Sequence, residues 1–450
     1  MGQLPPSSQD LPYIQTFKWL FYPTQFFEEN AQKYGDVFSI NIGPTFRPQV
    51  HVSNPQLIEQ IFAVEPYKFQ SASKFAIGLL GKESLVAIDG ERHRSQKKLL
   101  TPPFHGDRLR SYADTIAQIV QQQTSSWKEG GKVNLPSVMK EISFKAIAKT
   151  VFGLTDSDRS QQIESLLLAR NTPTANLLQG IALAFPPSRG LIKKSPQWHQ
   201  AKARAEARDR LIYEEIADKR AQANGSDILS LMISAEDENG RKMEDIELRD
   251  ELMTLLFAGK ETTAIALSWL LWWVKSDRAR AALAGRSIEQ QLLAELSQID
   301  ASDYLGLTRL PYLNAVCLET LRIYPAPMSC FNRIPQQDYN LGGFVIPAGV
   351  PIFPAIYLTH HREDLYPDPK AFRPERFLER QYAPHEYLPF GGGNRRCLGM
   401  AFALLEMKIV LATMLRAWNL ELSEPRTLKP KREGLLLKCP DYDIVPKSRN

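Results

Sequence analysis

The chain of 450 residues is 43% hydrophobic and 23% charged, an ordinary globular composition with ample apolar material for a core. Its net charge of +5 is too mild for a nucleic-acid binder, which would show a basic stripe with interleaved aromatics. Four cysteines without a CxxC pair argue against a disulfide framework or a zinc site, and they suit a reducing cytoplasm.

Length alone suggests about three domains. No Pro/Gly/Ser linker, low-complexity segment or fixed repeat divides the chain, so one domain over 1–450 is expected. The first thirty residues hold neither a transmembrane anchor nor a signal peptide. Their aromatic stretch, Trp19, Leu20, Phe21, Phe26 and Phe27, suits docking on the core first and peripheral membrane contact second.

Residues 36–53 alternate and carry β-branched side chains, so two short strands are expected within a β-containing part at about 36–60. The densest basic run, ERHRSQKK at 91–98, follows. Apolar positions recur at helical spacing over 107–127, 137–152, 159–170 and 198–222, the last with a mostly solvated face. Between the last two, the Pro-broken loop 184–198 has the make-up of a lid. Residues 244–275 read as one helix of roughly 45–50 Å. Its middle is apolar almost all round, which means burial, yet Lys260 and Glu261 sit there and need a reason. A helix at 311–324, a Gly/Pro-punctuated stretch with strand-like runs, a loop-rich region over 362–396, a helix at 399–418 and a strand-like tail complete the chain. The fold class expected is mainly α with a smaller β portion.

The loop FGGGNRRCLG, Phe390 to Gly399, packs four glycines and two arginines around Cys397. Three uses compete. A dinucleotide loop needs a third glycine where Arg396 stands, and no Gly-Lys-Ser/Thr follows for a P-loop. A buried structural thiol is the ordinary use of a lone cysteine. A metal thiolate is the third: a helix begins just after Cys397, and its free N–H groups, with Arg395 and Arg396, favour an anion. Gly391 to Gly393 and Gly399 would then give thin backbone for a flat macrocycle lying over the loop.

The pattern Phe390-x-x-Gly393-x-Arg395-x-Cys397-x-Gly399 resembles the haem-binding loop of the cytochrome P450 family at every defining position. The resemblance implies a single haem-containing domain of that fold. It makes Cys397 the thiolate ligand of the iron of haem b and points Arg395 at a propionate. Phe390 would shield the sulfur, with Gly391 beside it. Three further matches occur in the family's order. Glu319 and Arg322 in VCLETLRIYP, three apart on one helix face, resemble its Glu-x-x-Arg, and Arg376 in FRPERF completes a buried cluster supporting the loop. AGKETT, 258–263, resembles its oxygen-activating segment. Thr262 would distort the helix by bonding back to it, Gly259 would remove bulk where the helix passes the haem, and Glu261 would relay protons. His93 and Lys97 sit where the family approaches the propionates, Lys97 replacing the usual Arg, and Arg333 matches another propionate contact.

The resemblance implies a monooxygenase that takes O2 and electrons from a separate ferredoxin or flavodoxin, and it looks most like soluble cyanobacterial members. It brings fatty acids, alkanes and terpenoids or retinoids as substrates. Apolar contacts are expected from 74–88, 176–186, Leu255, Ala258 and 325–331. A monomer in the cytoplasm is expected. The alternatives are an H2O2-dependent peroxygenase, an isomerase on the same haem-thiolate fold, and a haem sensor. The pair Glu261–Thr262 favours the monooxygenase.

Overall fold

The computed structural model describes residues 4–43, 46–64, 68–71, 77, 80–104, 106, 108–153, 162, 165–166, 189–192, 194–222, 225, 227–276, 287–424 and 427–449. Prolines open the first helices, α1 (Pro12–Phe21) and α2 (Pro23–Tyr34), at the turn where a missing N–H costs nothing. Phe26 and Phe27 of α2 are buried against Phe38 and Ile40. They belong to the core and not to a membrane-facing patch. Trp19 lies under the Arg432 guanidinium, and Phe21 is exposed.

The expected strand pair is β1 (Val37–Asn41) and β2 (Pro48–Val52), antiparallel with Val37 opposite Val52. Next come α3 (Pro55–Ala63), capped by Asn54, then β3 (Phe69–Gln70) and α4 (Gly90–Leu100) on the basic run. After α5 (Arg108–Thr124) and β4 (Val133–Asn134), α6 (Leu135–Phe152) begins where Asn134 accepts the Ser137 N–H at 3.1 Å. It ends at Gly153, whose φ of +62° is left-handed. The long polar helix α7 (Pro196–Gln222) buries fully only Ile212 and Ile216. The short α8 (Ile228–Ser234) follows. Most of the expected helix at 159–170, and residues 184–188 and 193 of the expected loop 184–198, lie outside the described residues, while 189–192 form a single helical turn ahead of α7.

The central helix α9 (Asp245–Lys275) runs unbroken for 31 residues, opened by a capping box between Glu244 and Glu247. Its half from Thr263 to Lys275 is buried on all faces. It packs along α6 and against α11 (Pro311–Ile323) and α14 (Met400–Ala417), with α10 (Ile288–Leu296) preceding α11.

The β portion is dispersed. β5 (Ile334–Pro335) pairs with β3, β6 (Tyr339–Leu341) with β7 (Phe344–Ile346), and β8 (Ile352–Pro354) joins β2 in parallel. The helices α12 (Ile356–His360) and α13 (Arg376–Glu379) interrupt the loop-rich region. β9 (Trp418–Leu422), the hairpin β10 (Lys431–Glu433) and β11 (Leu436–Lys438), and β12 (Asp443–Ser448) form the tail, β12 lying between β4 and β9. No helix among the described residues is long and apolar enough to cross a membrane. The architecture is mainly α with a smaller β portion.

Candidate functional site

The cysteine loop is a series of tight turns. Gly391 N–H donates to Leu388 O at 2.8 Å, Arg396 N–H to Gly393 O at 3.2 Å, and Cys397 N–H to Phe390 O at 2.9 Å. Gly391 and Gly393 have φ of +65° and +62°, the left-handed region that favours glycine. Gly392 is glycine for another reason. A Cβ there would stand 2.1 Å from the Phe62 ring, and one on Gly393 would stand 3.1 Å from Phe62 O. These two glycines admit α3, so the expectation that they thin the backbone under a macrocycle is corrected. At Gly399 a Cβ would meet nothing within 4 Å.

Cys397 stands three residues ahead of α14. Its side chain is accessible, yet enough protein surrounds it that burial raises the thiol pKa. The Gly399 N–H, Lys97 and Arg396 act in the opposite direction and only offset part of this. The sequence reading expected a thiol depressed by the helix end and both arginines. Arg395 instead turns to another segment: it donates to Leu85 O at 2.8 Å, to Ile88 O at 2.5 Å and to the Asp89 carboxylate.

Around the cysteine the cations outnumber the acids. Lys97 Nζ donates to the loop carbonyls of Asn394 at 2.7 Å and Arg396 at 3.0 Å. Buried Arg333 donates to Ser71 Oγ at 3.3 Å and to the carbonyls of Phe331, Asn332 and Gly392. Burial lowers its pKa to about 10. His93 is buried, and that burial, with Arg395 and Lys97 near, holds it down to about 3, so it is neutral. Asp89 is the carboxylate among these groups. The buried Nε of Arg395 has no partner among the described residues. An accessible thiol inside a positive ring, with one buried N–H unanswered, fits a group that carries a metal and carboxylates.

On α9, Thr262 Oγ1 donates to Ala258 O at 2.6 Å, the expected back-bond, but the helix continues through it without a break. Gly259 faces α6: a Cβ would stand 3.0 Å from Ile147, and Ser143 Oγ donates to Gly259 O at 3.2 Å. Its small size serves helix packing, a correction to the expected haem clearance. Glu261 pairs with Lys140 of α6 at 3.6 Å. Lys260 lies over the Phe144 ring at 5.3 Å. Phe257 is 52% exposed, beside exposed Ala258 in the middle of this helix, and Phe331 and Leu435 are 48% and 66% exposed. Leu435 tips the β10–β11 hairpin, which bonds to 326–327 through Leu437 N–H and Ala326 O at 2.7 Å. Of the expected apolar contacts, Ala258 and Phe331 present surface, while Leu255, Met328 and Cys330 are in the core. Residues 176–186 and much of 74–79 lie outside the described residues.

The support cluster is complete. Arg322 meets Glu319 through Nε and Nη2 at 2.7 and 2.8 Å, Arg376 Nε meets it at 3.1 Å, and all three are buried. Sequence reasoning missed how this reaches the loop. His360, held neutral at about 3 by burial, bonds Arg322 O through Nδ1 at 3.1 Å and accepts the Leu388 N–H on Nε2 at 2.8 Å. That pairing fixes the tautomer, with the proton on Nδ1. Asp89 was missed too, because no spacing in the sequence links it to Cys397.

The sequence model described as Cytochrome P450 matches residues 5–445. Cytochrome P450 135B1 of Mycobacterium tuberculosis is 35% identical over 441 residues, 96% of this chain and 89% of that protein. Cytochrome P450 135A1 of the same organism is 31% identical over 428 residues, 94% and 90% of the two chains. Among solved structures, retinoic acid bound cyanobacterial CYP120A1 superposes with a TM-score of 0.83 at 24% identity, covering 100% of both chains. The haem domain of cytochrome P450DA gives 0.85 at 22%, covering 100% of this chain and 99% of that one.

Proposed function

The chain belongs to the cytochrome P450 family, whose members are generally haem-thiolate monooxygenases, and on that premise we propose that it inserts one atom of O2 into a C–H bond of an apolar substrate. The balance is RH + O2 + two electrons + two protons giving ROH + H2O. Haem b would be held by Cys397, whose thiolate would supply the electron donation that favours O–O cleavage. The observation that carries this reading is the accessible Cys397 in its positive ring, with Arg395 Nε unanswered.

The chain's own residues have distinct tasks. Arg395, Arg333 and neutral His93 would hold the propionates, and Lys97 fastens the loop through its carbonyls. Phe390 packs on the core beside the loop, and Gly391 gives it its left-handed turn. Glu319, Arg322 and Arg376 keep the loop in place. Thr262 holds its hydroxyl proton on Ala258 O, which leaves lone pairs free to accept from a water. Glu261, beside Lys140, receives protons from solvent. Phe257, Phe331 and Leu435 offer apolar surface to a fatty acid, alkane, terpenoid or retinoid. Arg94, Lys98 and Arg396 are exposed beside the loop and suit an acidic ferredoxin or flavodoxin. A monomer working in the cytoplasm completes the proposal.

The test is a CO-bound spectrum of the reduced protein, followed by turnover with NADPH, ferredoxin and reductase. A thiolate-type Soret shift and product equal to NADPH consumed are expected. A spectrum without that shift sinks the haem-thiolate assignment. Turnover with H2O2 alone and none with reductase replaces the monooxygenase by a peroxygenase.

A further inference from the structure

Glu251 lies on α9 ten residues before Glu261 and is fully buried. Its Oε1 accepts from two different elements: Leu85 N–H at 2.6 Å and Gln96 Nε2, on α4, at 2.7 Å. Its Oε2 has no partner among the described residues. Neighbours on α9 fasten the same stretch. Asp250 Oδ2 accepts the Glu83 N–H at 2.9 Å, and the Thr254 and Ser84 hydroxyls are 2.7 Å apart. The far side of this stretch holds Arg395 through Leu85 O, Ile88 O and Asp89. Beside Gln96, Lys97 holds Asn394 O and Arg396 O. Two supports of the cysteine loop, residues 83–89 and α4, therefore meet at one carboxyl oxygen.

We propose that Glu251 is a positioning residue that couples residues 83–89 and α4 into one bracket for the cysteine loop, so that the grip on haem depends on it. The inference rests on the assignment of Cys397 and Arg395 to haem.

The protonation of this carboxyl follows from its surroundings. Burial pushes its pKa up to about 8, and Asp250 and Glu247 push the same way. The charged groups nearby are Glu247, Arg249 and Asp250 on α9, Lys82 and Glu83 in the bracket, Arg92 on α4, Asp209 on α7, and Arg241. They pair among themselves: Arg92 with Glu83 and Glu247, Arg241 with Glu247, and Arg249 with Asp250 and Asp209. The two bonds to Glu251 come from neutral donors. Opening the bracket to water returns the group to its ordinary value of 4.5. Opening therefore becomes easier as pH rises from 4.5 to about 8 and gains nothing more above 8. Glu251→Gln keeps an acceptor oxygen and cannot ionise. Glu251→Ala leaves the Leu85 N–H unpaired and Gln96 Nε2 with only its bond to Glu83 O at 2.9 Å.

The experiment is haem transfer from holoenzyme to excess apomyoglobin across the pH range, with hydrogen exchange at Leu85 followed in parallel. Glu251→Ala is expected to lose haem at least tenfold faster at neutral pH, the bound fraction keeping its thiolate-type spectrum. The wild-type to Glu251→Gln ratio of loss rates is expected to climb up to about pH 8 and then level. An Ala variant within twofold of wild type, or a flat ratio, overturns the proposal. If the Ala variant does not fold, the Gln ratio decides. A Leu85 amide that loses protection with pH in a protein lacking the thiolate-type spectrum overturns the haem assignment and not the coupling.

Discussion

Thr262 shows what a single side chain contributes. Its back-bond to Ala258 O is satisfied within α9, so removing the hydroxyl leaves the helix intact. Thr262→Ala is expected to change stability by less than about 0.5 kcal/mol while diverting electrons to peroxide. The measurement is H2O2 released per NADPH consumed, and a fully coupled variant removes Thr262 from proton delivery. At this scale the sequence named Cys397, Glu319, Arg322, Arg376 and Thr262 because each belongs to a short ordered motif. His360, Asp89 and Glu251 carry no such motif. Their partners lie 28 to 306 positions away, and only folding makes them neighbours.

Among elements, the cysteine loop is held from several directions, one of them Arg333 on Gly392 O. Phe62 of α3 fills the space over Gly392, Lys97 of α4 takes two carbonyls, residues 85–89 take Arg395, and His360 of α12 takes the Leu388 N–H. A methyl on Gly392 would have to displace the Phe62 ring. Gly392→Ala is therefore expected to destabilise the protein by about 1–3 kcal/mol and to speed haem loss. Adding Phe62→Ala should recover part of both in a thermal melt and a haem-transfer assay. A single variant as stable as wild type would mean that the close approach does not select glycine. The longer helices α5, α6, α7, α9, α11 and α14 were legible because their apolar periodicity is local, whereas α1, α2, α3 and the short α12 and α13 were not expected. The reasons for Gly259 and Gly392 were not, since each faces an element more than a hundred residues away.

For the whole molecule, buried titratable groups set opposing slopes of stability with pH. Burial holds His51, His93 and His360 near 3, against an ordinary 6.5. The unfolded chain thus binds more protons between those values, and stability falls as pH drops below about 6.5. Glu251 and Glu406 are raised by burial to about 8 from 4.5. The folded chain binds the extra protons there, so stability falls as pH rises towards 8. Below 6.5 these three histidines, joined by His361, which burial also lowers, outweigh the two carboxyls, and above it the carboxyls act alone. A stability maximum near pH 6.5 is expected in thermal melts, with Glu406→Gln flattening the alkaline limb. A limb unchanged in that variant would show that Glu406 is ionised in the fold.

The sequence by itself determined the family, the mainly helical architecture, the thiolate candidate and the order of its supporting motifs, because each is written in adjacent or helically spaced residues. Tertiary structure alone decided which way the side chains turn. It sent Arg395 to residues 85–89 rather than to the thiol, and gave two glycines to Phe62. It also raised the Cys397 pKa by desolvation, a quantity that exists only once distant segments have closed around the sulfur.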